Sequence, residues 1–309
     1  MGRLSRERRP TALAVCIGTL VVLSLFPYAL VFAEVNLKWT GCGITRLAIM
    51  DEAAKAYEEE TGGKVSISVT GGGSTKGIRF TAAGLSDMGG SCRPCLPETY
   101  PEEESGVFLT VVGWDALVPI VHKENPVNGV TSEQLKEILT GKITRWSELG
   151  GPDHEIKLID RSGKITGVGF MARLLFFDDK GVDFSKSAEV LTSSGPLEER
   201  LEQERWAIGI TGISSARKRL LKMLALDGKE AILENVASGA YVTFRPLYVV
   251  TRGKPSGEVE KFLNWLISDK GQAVVERSGT VSLKQGTGLK AKYKHWLHTD
   301  RILNFDALQ

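Results

Sequence analysis

An α/β fold is predicted by three features of this 309-residue chain. Short β-prone runs alternate with amphipathic runs at helical spacing. Several of the junctions carry glycines and hydroxyls directly after the strand. No internal repeat or low-complexity segment offers another architecture. In an open α/β sheet, ligands bind outside the carboxyl ends of the strands, where such loops collect, so the feature that predicts the fold also points to a site. A content of 42% hydrophobic and 25% charged residues fits one large or two medium domains.

The chain opens with a leader. Arg3, Arg6, Arg8 and Arg9 precede an apolar run over residues 11–32 that ends Val31-Phe32-Ala33 before Glu34. Export is expected, with residues 1–33 as a signal peptide cleaved after Ala33. The run is long for a signal peptide, and an uncleaved membrane anchor is the alternative. Cleavage removes four arginines and one glutamate, three net positive charges, turning a formal +2 into −1. The mature chain is therefore not a polybasic nucleic-acid binder, and any anion site must come from local placement of donors. Cys16 lies in the leader, leaving Cys42, Cys92 and Cys95. In an oxidising compartment that arithmetic gives one pair and one free thiol. His122, His154, His295 and His298 are scattered relative to these cysteines and support no zinc site.

Residues 36–40 read as a strand running into Gly41-Cys42-Gly43-Ile44-Thr45. A helix follows with Leu47, Met50, Ala54 and Tyr57 on one face, stopped by Gly62. Residues 64–69 are the next strand, and its helix continues to about Gly84. Asp87-Met88-Gly89-Gly90-Ser91 is a third strand leading to Cys92-Arg93-Pro94-Cys95, and residues 97–104 form an acidic connector. Residues 107–112 and 116–122 are β-prone, separated by Gly113-Trp114-Asp115. Thr131-Ser132-Glu133 caps a helix bearing Leu135, Ile138 and Leu139. Residues 156–160 form a strand entering Arg161-Ser162-Gly163-Lys164-Ile165-Thr166-Gly167, with a helix after it. Ser193-Ser194-Gly195-Pro196 caps a further helix. Residues 207–211, 222–226 and 241–250 are β-prone. Val259, Phe262, Leu263, Leu266 and Ile267 make a helix stripe that residues 271–276 extend or restart. From residue 284 onward the chain is polar and expected to pack loosely on the surface.

The most telling loop is Val69-Thr70-Gly71-Gly72-Gly73-Ser74-Thr75-Lys76-Gly77-Ile78. A strand, then glycines, then hydroxyls at a helix start leaves free N–H groups aimed one way at the positive end of a helix dipole. That is the chemistry of an anion cradle, although a glycine-rich turn before an ordinary helix is the plainer reading. A nucleotide P-loop would place Lys directly after the last glycine with Ser or Thr behind it, whereas Ser74-Thr75 precede Lys76. A dinucleotide fingerprint would have a third glycine where Lys76 stands. Neither nucleotide motif is present.

These loops, in this order, resemble the periplasmic phosphate-binding proteins of ABC importers, in the type II solute-binding superfamily. The resemblance covers about residues 37–282. It rests on Gly41–Thr45 with its helix ending Glu60-Thr61-Gly62, on Gly73-Ser74-Thr75-Lys76-Gly77-Ile78, and on Asp87-Met88-Gly89-Gly90-Ser91. It continues through Leu135-Lys136-Glu137-Ile138, Gly141-Lys142-Ile143-Thr144-Arg145-Trp146 and Ala207-Ile208-Gly209-Ile210. The resemblance implies two α/β lobes, each a mixed sheet flanked by helices, joined by a two-stranded hinge. Lobe 1 would hold residues 34–113 and 245–309, lobe 2 residues 114–244. Bending is expected near residues 113–115 and 241–246. It also implies a monomer with no cofactor, capturing an inorganic oxyanion, most plainly phosphate, and docking on an inner-membrane permease or sensor kinase.

Carried over by position, Thr45 and Ser74 match hydroxyl donors, Arg161 the arginine that pairs with phosphate oxygens, and Thr166-Gly167 a Ser-Gly helix start. The family's aromatic after the first-loop threonine is Arg46 here, and its aspartate is Cys92, followed by Arg93. Losing an acceptor and gaining cations favours a fully deprotonated anion. Gly73, Thr75 and Lys164 complete the candidate ligand set; Lys164 reads equally as a solvated loop lysine.

Cys92-Arg93-Pro94-Cys95 has the spacing of a redox dithiol, but it leaves a strand for a connector instead of opening a helix. A disulfide, Cys92–Cys95 or Cys42–Cys92, is the competing reading. A soft site for arsenite at Cys42 and Cys92 is another. No nucleophile elbow, His–carboxylate pair or metal-ligand cluster supports a hydrolase, and no enzyme is expected.

Overall fold

The computed structural model describes Gly2, residues 35–161 and residues 163–294. The rest of the leader up to residue 33 (with Cys16), His295 and His298 lie outside them. Among the described residues no helix is long and apolar enough to cross a membrane.

The sheet has two halves. In the first, β1 (Val35–Gly41) lies between β2 (Val65–Gly71) and β3 (Met88–Ser91), all parallel. A long strand, β4 (Val107–His122), follows, then the short β5 (Gly129–Val130). The second half uses β6 (Lys157–Arg161), β7 (Glu189–Leu191), β8 (Ala207–Gly212) and β9 (Leu221–Met223). The short β10 (Ala225–Leu226) pairs with β5 apart from the main sheet, and β11 (Phe244–Arg252) returns to the first half. The strand order is β2-β1-β3-β11-β4-β8-β6-β7, with β9 also on β4.

β4 carries the chain between the halves. Its residues 107–116 pair antiparallel with β11, and residues 117–121 pair antiparallel with β8. The expected break at Gly113-Trp114-Asp115 is instead a slip in register. Leu247 faces Gly113 and Tyr248 faces Val111, which leaves Val112 as a bulge in an unbroken strand. The Leu117 N–H donates to the Thr243 carbonyl at 3.1 Å, so both crossings lie side by side.

Helices cover both faces. The first runs as Gly43–Thr45, a π turn Arg46–Met50, and Asp51–Glu60. The wider turn rotates the apolar face: Met50, Ala54 and Tyr57 are buried as expected, while Leu47 is turned toward an open cavity. Ser132–Thr140 is capped by Thr131, with Gln134 returning the hydrogen bond. Gly257–Ile267 ends at Ser268, and Asp269–Arg277 restarts there.

The acidic connector and the segment after residue 284 are both packed, and of the two the sequence predicts only the second to be loose. The connector at 97–104 contains a helical turn, Pro101–Glu104, whose Glu104 is fully buried. The segment after residue 284 is not loose where described. Leu289–Lys294 is helical, with Leu289 and Tyr293 buried, and the Tyr293 ring lies 6.0 Å from Trp114.

Candidate functional site

The carboxyl ends of β1, β2, β3, β6 and β7 face one another across the two halves of the sheet. Each strand hands over to a helix or turn at that end, and the loops enclose a cavity of about 250 Å³. Cys42 and Gly43 come from the loop after β1, Gly71 to Ser74 from the loop after β2, and Arg161 from the end of β6. Gly167 and Val168 open the helix Gly167–Phe177, and Ser193 to Gly195 open the helix Ser194–Gln203. Four helix starts thus present backbone N–H groups to one space, at the positive ends of their dipoles. Gly73 permits this locally, since its φ of 88° lies where a side chain is strained.

Among the described residues no carboxylate lines the cavity. Arg161 is buried; its Nη1 donates to Ser194 Oγ at 2.6 Å and its Nη2 to the Thr192 carbonyl at 3.1 Å. Its Nε has no hydrogen-bond partner. Burial pulls the guanidinium below its ordinary pKa, outweighing the nearby charges of Cys42, Cys92, Asp160 and Glu198. Ser74 Oγ accepts from the Cys92 N–H at 3.1 Å and lies 3.4 Å from Cys92 Sγ. The Cys42 and Cys92 Sγ atoms are 3.2 Å apart. Hydrogen bonding between them lowers the Cys42 thiol and raises that of Cys92, so the two titrate as a pair.

Of the expected ligand residues, Arg46, Gly73, Ser74, Arg161 and Gly167 line the cavity. Arg46 sits at its mouth, half-exposed and paired with Asp51 at 3.0 Å. The others do not line it. Thr45 is buried behind the floor, its Oγ1 donating to the Ser91 carbonyl. Thr75 Oγ1 donates to the Ile165 carbonyl at 3.0 Å, tying the first half to the loop of the second. Cys92 lies just beneath the floor. Thr166 caps its own helix by accepting from the Gly169 N–H at 3.2 Å. Lys164 faces away, paired with Asp183 at 2.7 Å.

Arg93 is the clearest departure. It is fully buried, holds Glu104 through Nη1 (2.9 Å) and Nη2 (2.8 Å), and donates from Nε to the Ile165 carbonyl at 2.7 Å. Its charge is matched by Glu104 within the protein, and it braces the Ile165 loop.

Sequence reasoning missed Ser193, Ser194, Gly195, Ser215 and Arg219 on the cavity wall. Ser193-Ser194-Gly195 gave a usable signal, a hydroxyl-and-glycine helix start after a strand. Arg219 gave none; it is placed by Glu198 at 3.2 Å and Glu199 at 3.3 Å.

The redox quartet takes another form. Cys92 lies against Cys42, and Cys95 is pushed up to about 11 by burial and by Glu104. Neither Cys92 nor Cys95 has the lowered pKa of a reactive dithiol. Among the described residues no group of His, Cys, Asp and Glu is arranged to hold a metal ion.

A family model described as the PBP superfamily domain matches residues 45–270. The chain belongs to the PBP superfamily. A Borreliella burgdorferi relative named phosphate-binding protein PstS is 27% identical over 252 residues, covering 79% of this chain and 89% of that one. The Bacillus subtilis protein of the same name is 28% identical over 247 residues, 77% of each chain. A Clostridium perfringens structure matches with a TM-score of 0.71 and 27% identity, over 80% of this chain and 99% of the other. It is described as the substrate-binding protein of a phosphate ABC transporter with phosphate bound. The fold expected from the resemblance, two α/β lobes crossed by two strands, is the fold of this PBP-superfamily chain.

Proposed function

We propose that this chain is the extracytoplasmic solute-binding protein of an ABC importer, capturing phosphate or a related oxyanion between its lobes. One observation carries the reading. Four helix starts from both halves and the buried Arg161, its Nε without a hydrogen-bond partner, converge on a small cavity with no carboxylate among its described lining residues. A polyanion leaving water needs charge-assisted bonds to offset its desolvation. Micromolar capture requires about −8 kcal/mol net. Several bonds to a charged group, at roughly 1.5–3 kcal/mol each, supply that after the costs of ordering.

The ligand set in this reading is Arg161, Ser74, Ser194 and the N–H groups that follow Cys42, Gly73, Thr166 and Ser193, with Arg46 and Arg219 at the rim. Closure brings lobe 2 (residues 114–244) onto lobe 1 by bending where β4 and β11 cross. Thr75 and Arg93 then grip the Ile165 carbonyl. Chemistry is not part of this role, and the closed form presents both lobes to an inner-membrane permease. Relatives named as phosphate-binding proteins support the ligand class, and the arginines and apolar run of residues 1–33 support export.

Calorimetric titration with phosphate, sulfate and arsenate tests the reading. Arg161→Ala should weaken phosphate binding by about 1.5–3 kcal/mol, the worth of hydrogen bonds to a charged group. An unchanged affinity removes Arg161 from the site; silence toward every anion removes the function.

A further inference from the structure

Cys42 and Cys92 follow the ends of adjacent parallel strands, where Gly41 stands opposite Gly90. The Cys42 N–H donates to the Gly90 carbonyl at 2.9 Å, fixing the two loops side by side. Their Sγ atoms stand 3.2 Å apart, roughly 1 Å beyond a sulfur–sulfur bond. Cys42 lines the cavity, so a small disulfide entering the cleft meets it there. Cys95 is held elsewhere, buried beside Glu104 with its thiol pushed up to about 11.

We propose that Cys42 and Cys92 close into a disulfide on the cavity floor and that closing it tightens oxyanion binding. The second half rests on the function proposed above; the first does not. The step is thiol–disulfide exchange with a small or protein disulfide. The Cys42 thiolate attacks one sulfur of the oxidant, forming a mixed disulfide and releasing one thiol. Cys92, losing its proton, attacks Cys42 Sγ and releases the second thiol. Two protein thiols are oxidised and one disulfide is reduced to two thiols, so atoms and electrons balance.

The effect on ligand follows from charge. In the reduced state the sulfur pair lies directly under the site, with Cys92 Sγ 3.4 Å from Ser74 Oγ, and the hydrogen bond between the sulfurs favours a thiolate on Cys42. Arg245 faces it, its Nη1 3.5 Å from the Cys92 carbonyl and its Nη2 3.2 Å from Asp115, while Arg161 faces the same cavity. Oxidation removes that negative charge. Arg161 then loses the nearest competitor for its charge, Asp160 and Glu198 remaining, and repulsion of an incoming dianion by the sulfurs disappears.

The test uses the full chain after incubation with oxidised glutathione or with dithiothreitol. Free thiols are alkylated in denaturant, peptides are mapped by mass spectrometry, and phosphate is titrated into each form. The expected result is a Cys42–Cys92 cross-linked peptide, alkylated Cys95, and phosphate affinity at least fivefold higher in the oxidised form. Cys92→Ser should abolish the redox dependence and Cys95→Ser should leave it intact. Three alkylated thiols after oxidation, or a Cys92–Cys95 peptide, overturns the pairing. A Cys42–Cys92 link with equal affinities overturns the coupling to ligand. Absence of phosphate binding in both forms overturns the proposed function and leaves the peptide map to decide the disulfide.

Discussion

Replacing Gly167 with alanine is the sharpest single perturbation of the site. Gly167 is the first residue of its helix and packs against the opposite half of the sheet. A methyl there would stand within 2.5 Å of Cys92 Sγ and closer still to Ser74 Oγ, where real contacts do not fall below 3.0 Å. The lobes would therefore have to part slightly at the ligand. Overpacking of this kind costs about 1–3 kcal/mol. At 1.4 kcal/mol per tenfold, that is roughly 5–150-fold in affinity. Without ligand the lobes are free to part and relieve that contact, so the empty protein should not lose comparable stability. Calorimetry with phosphate and a thermal melt without it separate the two effects. A dissociation constant within twofold of the parent would refute the close approach on which the site is built.

Two further outcomes follow from the packing. Arg93→Met should cost about 3–5 kcal/mol, because it leaves Glu104 buried with its main partner gone. Burial alone raises the Glu104 pKa, but hydrogen bonds and charge from Arg93 outweigh it and hold the group below its ordinary 4.5. A depressed acid stabilises the fold above its unfolded pKa and loses that contribution as pH falls through the folded one. Melting temperature followed from pH 7 down to 3 should therefore fall further in the parent than in Arg93→Met; parallel curves would count against the pair. Tyr293→Ala should destabilise by about 3–5 kcal/mol, because the ring is buried against Trp114 and Phe244. A change below 1 kcal/mol in denaturant unfolding would show the Leu289–Lys294 helix to be dispensable.

The sequence made the strand–loop–helix rhythm plain, because glycine and hydroxyl residues after apolar strands have few other uses. Ser74, Arg161 and Gly167 were legible for that reason. Arg93 was not, since its fate depends on Glu104, eleven residues on, in a segment that composition marks only as an acidic connector. Charge alone cannot tell an arginine awaiting a ligand from one already matched inside the fold. Leu47 misled through geometry: a helical wheel at 3.6 residues per turn has no place for the π turn that swings it to the cavity. Arg219 and Ser215 carry no local pattern; only the folding of β8 against β4 brings them to the wall.

The position of a bound anion decides the function. Crystals grown with saturating phosphate should show it in the cavity, within hydrogen-bonding distance of the Arg161 guanidinium and of N–H groups at the helix starts of Ser74, Gly167 and Ser194. Phosphate bound elsewhere on the surface, or an empty cavity at saturation, would contradict it.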